Sequence, residues 1–208
     1  MTGSEYLDSK EAVLERMQAQ ITRAIAPTLE RTLAIYDPAT ADDEDLGNLN
    51  DALRAELGAA MFSAQSELGA MCLRAYPGRQ QRMQSPNELL QSVEYGSQKD
   101  PAPLSSWLDR QSPSRWMRDL LGASAEKIRN SVNSLIEGAV WSFGARTEQI
   151  TWSTPLAWQW VTRPELSETG PCPVCAPLDG RVERRMEDFP VPYPVHPRCR
   201  CGVIPAAL

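Results

Sequence analysis

The sequence contains only one histidine, His196, among its 208 residues. Hydrolases built on a Ser-His-Asp or Cys-His arrangement need a histidine that can move a proton, and so does a zinc-supported nuclease. Nucleobase deaminases pair a Pro-Cys-x-x-Cys segment with an upstream His-x-Glu, and no histidine precedes Cys172. The phosphate-binding patterns GxxxxGK[ST] and GxGxxG are absent as well. We therefore expect a protein that is not an enzyme.

Long apolar runs are also missing. No stretch approaches the roughly 18–20 residues that span a bilayer, and the first residues lack the basic and apolar regions of a secretory signal. We expect no membrane segment and synthesis in a reducing cytoplasm. In that compartment, clustered cysteines more often bind metal than form disulfides.

Neither the N-terminal nor the C-terminal part of the chain carries a net positive charge. The net charge of the whole chain is −6. Residues 151–208 hold six arginines and six acidic residues, so the whole net charge lies in residues 1–150. An acidic body argues against broad binding to a phosphate backbone. One arginine cluster leaves a local contact with DNA or with an acidic protein surface open: Arg181, Arg184, Arg185, Arg198 and Arg200.

Apolar residues recur at helical spacing in three segments. The first is predicted to run from Ser9 to Tyr36, with Ser9 as N-cap and with Pro27 kinking or splitting the helix. The second is Leu49 to Tyr76, and the third is 124–146. Small residues on the second helix predict a slim face that another helix or another copy could approach: Ala55, Gly58, Ala59, Ala60, Gly69 and Ala70.

The character of the sequence changes after residue 148. Trp158, Trp160 and Thr162 alternate with their neighbours as in a β-strand. We expect an α+β protein, with a mainly helical N-terminal domain at 1–148 and a small β-rich zinc-binding module at 149–208. Trp152, Trp158 and Trp160 are expected to join the two as core residues. A stacking platform for nucleic-acid bases is the alternative.

Four of the five cysteines and the histidine lie in the last 37 residues. Zinc prefers four nitrogen or sulfur ligands in a tetrahedron. Cys172-Pro-Val-Cys175 and His196-Pro-Arg-Cys199 are two similar pairs, each able to turn back on one ion. The expected ligands are therefore Cys172, Cys175, His196 and Cys199. Cys201 is a spare ligand or a substitute for Cys199, because side chains two residues apart on a strand point the same way.

The zinc is expected to be structural. A catalytic zinc keeps one open position, whereas four or five candidate ligands would close this one. The segment is also too short and too rich in proline and glycine to form its own core, so metal binding would contribute the folding free energy. The fifth cysteine, Cys72, is predicted to be a small buried residue of the second helix. Asp179-Gly180 is predicted to form the turn of a β-hairpin.

Five of these elements occur in a defined order. They are Trp160-Val-Thr, Cys172-Pro-Val-Cys175, Leu178-Asp179-Gly180, a proline-rich stretch and His196-Pro-Arg-Cys-Arg-Cys201. Together they resemble the C-terminal signature of the Mu F-like head-morphogenesis family, the minor head proteins of tailed bacteriophages. The resemblance covers about residues 156–205, a quarter of the chain.

The resemblance implies a structural virion protein that acts in head assembly or DNA packaging. Its implied partners are the portal protein or a capsid protein, and its implied location is the head and portal region after assembly in the host cytoplasm. The slim helix faces also suit self-association. The alternative function is a zinc-dependent nucleic-acid-binding module, although DNA contact is not favoured by the charge distribution.

Overall fold

The structure is a computed structural model. It describes residues 3–76, 78, 82–95, 102–109, 115–152, 157–163, 172–195 and 201–206. His196 and Cys199 lie outside these ranges. The α-helices are α1 (Gly3–Ile35), α2 (Asp43–Ala75), α3 (Pro86–Ser92), α4 (Leu104–Trp107), α5 (Arg115–Arg118) and α6 (Ala125–Thr151). The strands are β1 (Glu94–Tyr95), β2 (Ala102–Pro103), β3 (Trp158–Val161), β4 (Val182–Glu183) and β5 (Gly202–Pro205). Two short 3-10 helices lie at Ala176–Leu178 and Met186–Asp188.

The three long helices pack on one another, and each contacts the other two. The predicted start of α1 at Ser9 is wrong. The helix already begins at Gly3, and the Ser9 hydroxyl lies inside it, donating to the Glu5 carbonyl oxygen at 2.7 Å. The helix also continues through Pro27 instead of splitting there. Ile25 and Leu29 on either side of the proline are buried, and most helical stability in proteins comes from such tertiary packing.

The slim face of α2 is used by a helix of the same chain. A Cβ atom added at Gly58 would lie 3.1 Å from the Pro86 Cβ at the start of α3. The α3 helix begins with a capping box, in which the Ser85 hydroxyl and the Glu88 side chain each bind the other's backbone N–H. The expected close approach is therefore confirmed at Gly58. At Gly69, further along α2, an added Cβ would meet nothing within 4 Å.

The third long helix, α6, extends beyond its predicted end. Ser124 caps it by accepting a hydrogen bond from the Lys127 amide at 3.2 Å, and one such bond is enough to fix a helix start. The last turn reaches Thr151, five residues past the predicted end at 146. Because of this extra turn, α6 presents Glu148, Gln149 and Trp152 to the C-terminal part of the chain.

The C-terminal part contains a three-stranded antiparallel sheet in the order β4-β3-β5. Trp158 pairs with Glu183 and Pro205, and Trp160 pairs with Val203. The burial of β3 alternates, with the two tryptophans inward. The strand predicted around these tryptophans is confirmed, and the described residues have the mixed α and β content of the predicted class.

The tryptophans after residue 150 are core residues. Trp152, Trp158 and Trp160 are 1%, 6% and 0% exposed. Trp152 packs edge-on against Tyr6 of α1 at a ring-centroid distance of 5.1 Å and lies 6.4 Å from the Trp158 ring. These rings join the helices to the sheet, as the core interpretation predicts. Their burial also leaves them no free face for stacking with nucleic-acid bases.

Candidate metal centre

The first cysteine pair sits on a tight turn. The Cys172 carbonyl oxygen accepts hydrogen bonds from the amides of Cys175, at 3.1 Å, and Ala176, at 2.9 Å. The chain then enters the 3-10 helix Ala176–Leu178. Cys175 is fully buried and Cys172 is half-buried. Such a turn brings two cysteines toward one point, which is the local geometry that a Cys-x-x-Cys metal site uses.

The predicted hairpin at Asp179-Gly180 is wrong in form, although the turn itself is present. Asp179 has φ −55° and ψ 127°, and Gly180 has φ +73°, which are the values of a type II turn. The Arg181 amide closes it on the Leu178 carbonyl oxygen at 2.9 Å. A 3-10 helix precedes the turn, so β4 pairs with β3 and not with the segment before the turn.

The Asp179 side chain ties this turn to the sheet. Its Oδ1 accepts a hydrogen bond from the Thr162 amide at 2.8 Å, just beyond β3. The Gly180 amide donates to the Trp160 carbonyl oxygen at 2.9 Å. These two bonds hold the loop that carries the cysteine pair at the C-terminal end of β3, and they give Asp179 a structural role.

Cys201 reaches the same end of the sheet from the other side. Val161 pairs with Gly202 in the β3–β5 register, so Cys201 lies one step further along, beside Thr162. The register therefore brings the cysteine-pair loop and Cys201 to one end of β3. Cys201 is 7% exposed, and its carbonyl oxygen accepts a hydrogen bond from the Tyr193 hydroxyl at 3.3 Å.

The described ligands do not complete a metal site by themselves. Within the described residues, no group of three or more His, Cys, Asp or Glu side chains is placed to hold a metal ion. Cys172, Cys175 and Cys201 thus do not form a three-ligand group, and none of the described cysteines is in a disulfide. His196 and Cys199, the other two expected ligands, lie outside the described residues. The zinc site stays a prediction.

The arginine cluster is largely neutralised where it is described. Arg181 contacts Glu183 at 2.6 Å, and Arg185 contacts Asp188 at 2.8 Å. Arg184 is exposed and makes no ion pair with a described residue. Arg198 and Arg200 fall outside the described residues. Two of the three described arginines therefore balance local acids.

A buried polar cluster connects the helices to the C-terminal part of the chain. We call it the buried junction and define it by five side chains: Tyr6, Lys10, Cys72, Glu148 and Tyr193. Lys10 Nζ lies 2.8 Å from Glu148 Oε1, and the two side chains are 4% and 1% exposed. The Tyr6 hydroxyl donates to Oε1 at 2.8 Å, and the Tyr193 hydroxyl donates to Oε2 at 3.0 Å. One carboxylate thus binds groups from α1 and from the loop before residue 196.

Burial raises the pKa of two side chains of the junction, Cys72 and Tyr6. Desolvation, followed by the nearby Glu148 charge, raises the pKa of the Cys72 thiol to about 12. Burial raises the pKa of Tyr6 well above its ordinary value for the same reasons. The Tyr6 oxygen is 3.3 Å from Cys72 Sγ. Because Tyr6 gives its own proton to Glu148, the thiol acts as the donor in that contact. Cys72 is buried as predicted, and its environment keeps it protonated and unreactive.

Three further contacts surround the junction. Gln149 Nε2 donates to the Tyr193 carbonyl oxygen at 3.0 Å. Arg163, just after β3, pairs with Asp8 of α1 at 3.0 Å. A Cβ atom at Gly202 would meet the Leu7 side chain at 2.7 Å, so β5 lies directly against α1.

The sequence contains a signal for the buried junction that the apolar pattern alone does not show: a charged residue on a core position of each of two helices. Lys10 lies four residues before Leu14, at a position that continues the buried stripe of α1. Glu148 lies in the last turn of α6, beyond the predicted end of that helix. Two charges of opposite sign on core positions of neighbouring helices indicate a buried pair.

No family model, curated protein or solved structure matches the chain. Among the described residues, no helix is both long enough and apolar enough to cross a membrane. The geometry of the site and the order of its motifs are therefore the basis for a functional assignment.

Proposed function

We propose that the chain is a structural minor head protein of a tailed bacteriophage, which docks on the portal or an inner capsid protein during head assembly or DNA packaging. One observation carries the proposal. The described parts of the five-element motif, distant in sequence, converge on one end of the small sheet through Thr162, Asp179 and the β3–β5 register. Such convergence is expected if the separated segments of the motif build one local structure.

We propose further that a structural zinc ion holds this end together. Cys172, Cys175, His196 and Cys199 would bind it, and Cys201 is the substitute ligand. The turn at Cys172–Cys175 fits half of such a site. Because Cys172–Cys175 and His196–Cys199 are two similar pairs, each able to turn back on one ion, Cys199 is the preferred fourth ligand. The ion would contribute folding free energy and no chemistry.

The way the C-terminal part is attached supports a docking role. The buried junction, the tryptophan rings and the Arg163–Asp8 pair all fix it to the helices. A surface that must meet a large partner in one orientation gains affinity from such preorganisation. The nucleic-acid alternative lacks comparable support, since the three tryptophans are buried and two of the described arginines are paired with acids.

The test is co-expression with the portal protein encoded by the same phage, followed by affinity capture and size-exclusion chromatography. Wild-type protein should form a stable complex. Cys175→Ser should lose both zinc and the complex, whereas Cys72→Ser, a matched change outside the motif, should keep both. No complex with portal or capsid protein, together with tight and steeply salt-dependent binding to random DNA, would favour the nucleic-acid module instead.

A further inference from the structure

A cleft of about 270 Å³ lies between the helices and the loop that precedes residue 196. One wall is a single face of α6, because Ser142, Arg146 and Gln149 are spaced four and three residues apart. The end of α3 and the short strands β1 and β2 form the second wall, and Tyr193 and Pro194 form the third. The cleft therefore brings together three parts of the chain that are far apart in sequence.

Ser142 is the most buried residue that lines the cleft. The residue is only 6% exposed, yet it makes no hydrogen bond to any described residue. Within the described residues, the buried side-chain nitrogen and oxygen atoms that lack a hydrogen-bond partner are three tryptophan nitrogens, so the Ser142 Oγ is open to the cleft. This hydroxyl is thus available to a group that enters the cleft.

Two opposite charges line the cleft without neutralising each other. Arg146 and Glu94 both contribute to its walls and are both exposed. Neither forms an ion pair with a residue in the described ranges. Exposed arginines elsewhere on the helices differ in this respect: Arg129 pairs with Glu30 at 2.7 Å, whereas Arg31 makes no ion pair with a described residue. The cleft therefore offers one cationic and one anionic contact to the same ligand.

The third wall of the cleft, formed by Tyr193 and Pro194, is held in place by the buried junction. Glu148 Oε2 accepts from the Tyr193 hydroxyl at 3.0 Å, and Gln149 donates to the Tyr193 carbonyl oxygen at 3.0 Å. Pro103 and Pro194 add apolar surface on two sides. A preformed wall lowers the entropic cost of binding.

We propose that this cleft binds an extended peptide segment of a partner protein, which places a carboxylate on Arg146 and a basic side chain on Glu94. The volume lies below the range of about 300–1,000 Å³ that is typical of small-molecule sites, and it suits two peptide side chains better than a cofactor. The Ser142 hydroxyl hydrogen-bonds to the peptide backbone, and Tyr193 packs against it, as tyrosine does in many interfaces. That the partner is the portal or a capsid protein rests on the proposed function.

The direct test titrates the full-length ¹⁵N-labelled protein with three capped tripeptides, Glu-Ala-Lys, Lys-Ala-Glu and Gln-Ala-Gln, and follows the amide shifts. At least one charged peptide should give saturating shifts at Ser142, Arg146 and Gln91, with a millimolar dissociation constant. The uncharged peptide should bind at least tenfold more weakly. Shifts that do not saturate, or that are equal for all three peptides, would overturn the proposal.

Charge-reversal variants sharpen this test. Arg146→Glu and Glu94→Lys should each weaken binding of the charged peptide at least tenfold, and the double variant should recover it to within about threefold, because a dipolar peptide can bind in reverse. Arg31→Glu is the matched control, since Arg31 is exposed on α1 and, among the described residues, bonds only the Thr28 hydroxyl. Equal losses in the control and in Arg146→Glu would refute a specific contact at the cleft.

Failure of this proposal can be told apart from failure of the proposed function. If Arg146→Glu keeps its zinc and binds the portal protein as tightly as wild type, the cleft is not the docking site, while the minor head role stands. If wild-type protein binds no portal or capsid protein, the proposed function fails. In that case the peptide titration still decides whether the cleft binds a charged segment.

Discussion

The Lys10 ammonium lies 2.8 Å from the Glu148 carboxylate, in a position where both side chains are almost fully buried. Removing one member should cost about 3–5 kcal/mol of unfolding free energy, since the other charge is left buried and uncompensated. Lys10→Met and Glu148→Gln should each show this loss in urea unfolding. The double variant should lose less than the sum, by about 0.5–3 kcal/mol.

The control for these single and double variants is an exposed ion pair that also joins a basic and an acidic side chain. Arg16 and Glu67 are also 2.8 Å apart, but their side chains are 63% and 52% exposed. Arg16→Met should cost no more than about 1 kcal/mol. Strictly additive losses at Lys10 and Glu148 would mean that the two charges do not depend on each other.

The Tyr193 hydroxyl should contribute more to stability than an ordinary tyrosine hydroxyl. Its single proton is shared between Glu148 Oε2 at 3.0 Å and the Cys201 carbonyl oxygen at 3.3 Å, so Tyr193→Phe removes the donor that both buried acceptors share, at a cost of about 1–3 kcal/mol. Amide hydrogen exchange should also accelerate in β5. Tyr76→Phe is the control, because the Tyr76 hydroxyl makes no hydrogen bond to a described residue. Equal effects of the two changes would contradict the role given to Tyr193.

Alkaline pH should destabilise the fold through Cys72. Its pKa is about 12 in the folded state and 9.0 in its ordinary environment, so from about pH 9 to 12 unfolding releases a proton that folding must recapture. The contribution is fully present below pH 9 and is lost as pH rises toward 12, by about 1.4 kcal/mol per pH unit. The stability gap between wild type and Cys72→Ser should therefore narrow between pH 9 and 10.5. A constant gap would show that the thiol titrates normally in the folded protein.

Zinc content should depend on the motif cysteines and on His196. Purified protein should hold about one zinc ion per chain, the stoichiometry of a single four-ligand site. Cys172→Ser, Cys175→Ser and His196→Ala should release it in elemental analysis, and Cys72→Ser should retain it. Cys199→Ser should lose the metal and Cys201→Ser should keep it. The reverse result would make Cys201 the fourth ligand.

Two glycine substitutions should act in opposite directions. Gly180 has φ +73° and no atom near an added Cβ, so Gly180→Ala should destabilise through backbone strain alone, by about 1–2 kcal/mol. Gly69 lies in the interior of α2 with open space around it, so Gly69→Ala should stabilise by about 0.5–1 kcal/mol. Thermal unfolding of both variants is the measurement. A stabilising Gly180→Ala would exclude the type II turn.

Much of the helical architecture could be predicted from spacing alone. The apolar stripes of α1, α2 and α6 identify real helices, since a stripe at helical period reports burial directly. Their ends were predicted less well. Ser9 has the chemistry of an N-cap, but helix formation continued N-terminal to it because Tyr6 and Leu7 are buried in the core. A long-range contact of that kind leaves no local signal.

The candidate site was predictable only in its ligands and its turn. Cysteine spacing identifies Cys172 and Cys175 as a pair, and Asp-Gly identifies a turn. Nothing local shows that Asp179 binds the Thr162 amide, because that contact depends on the pairing of β3 and β4. The buried junction joins residues 6, 10, 72, 148 and 193, whose proximity follows from tertiary packing and not from any motif.

The bond between Tyr193 and Glu148 also sets where this chain could be recombined with another. A crossover after residue 152 would carry Tyr193 and Trp160 into the new protein but leave Lys10, Glu148 and Trp152 behind. The transplanted sheet would then meet a foreign helix end, with no carboxylate to receive its tyrosine. A functional chimera would also need compatible residues at positions 6–10 of α1 and a compatible last turn of α6, so the unit that can be exchanged is larger than the segment that bears the cysteines.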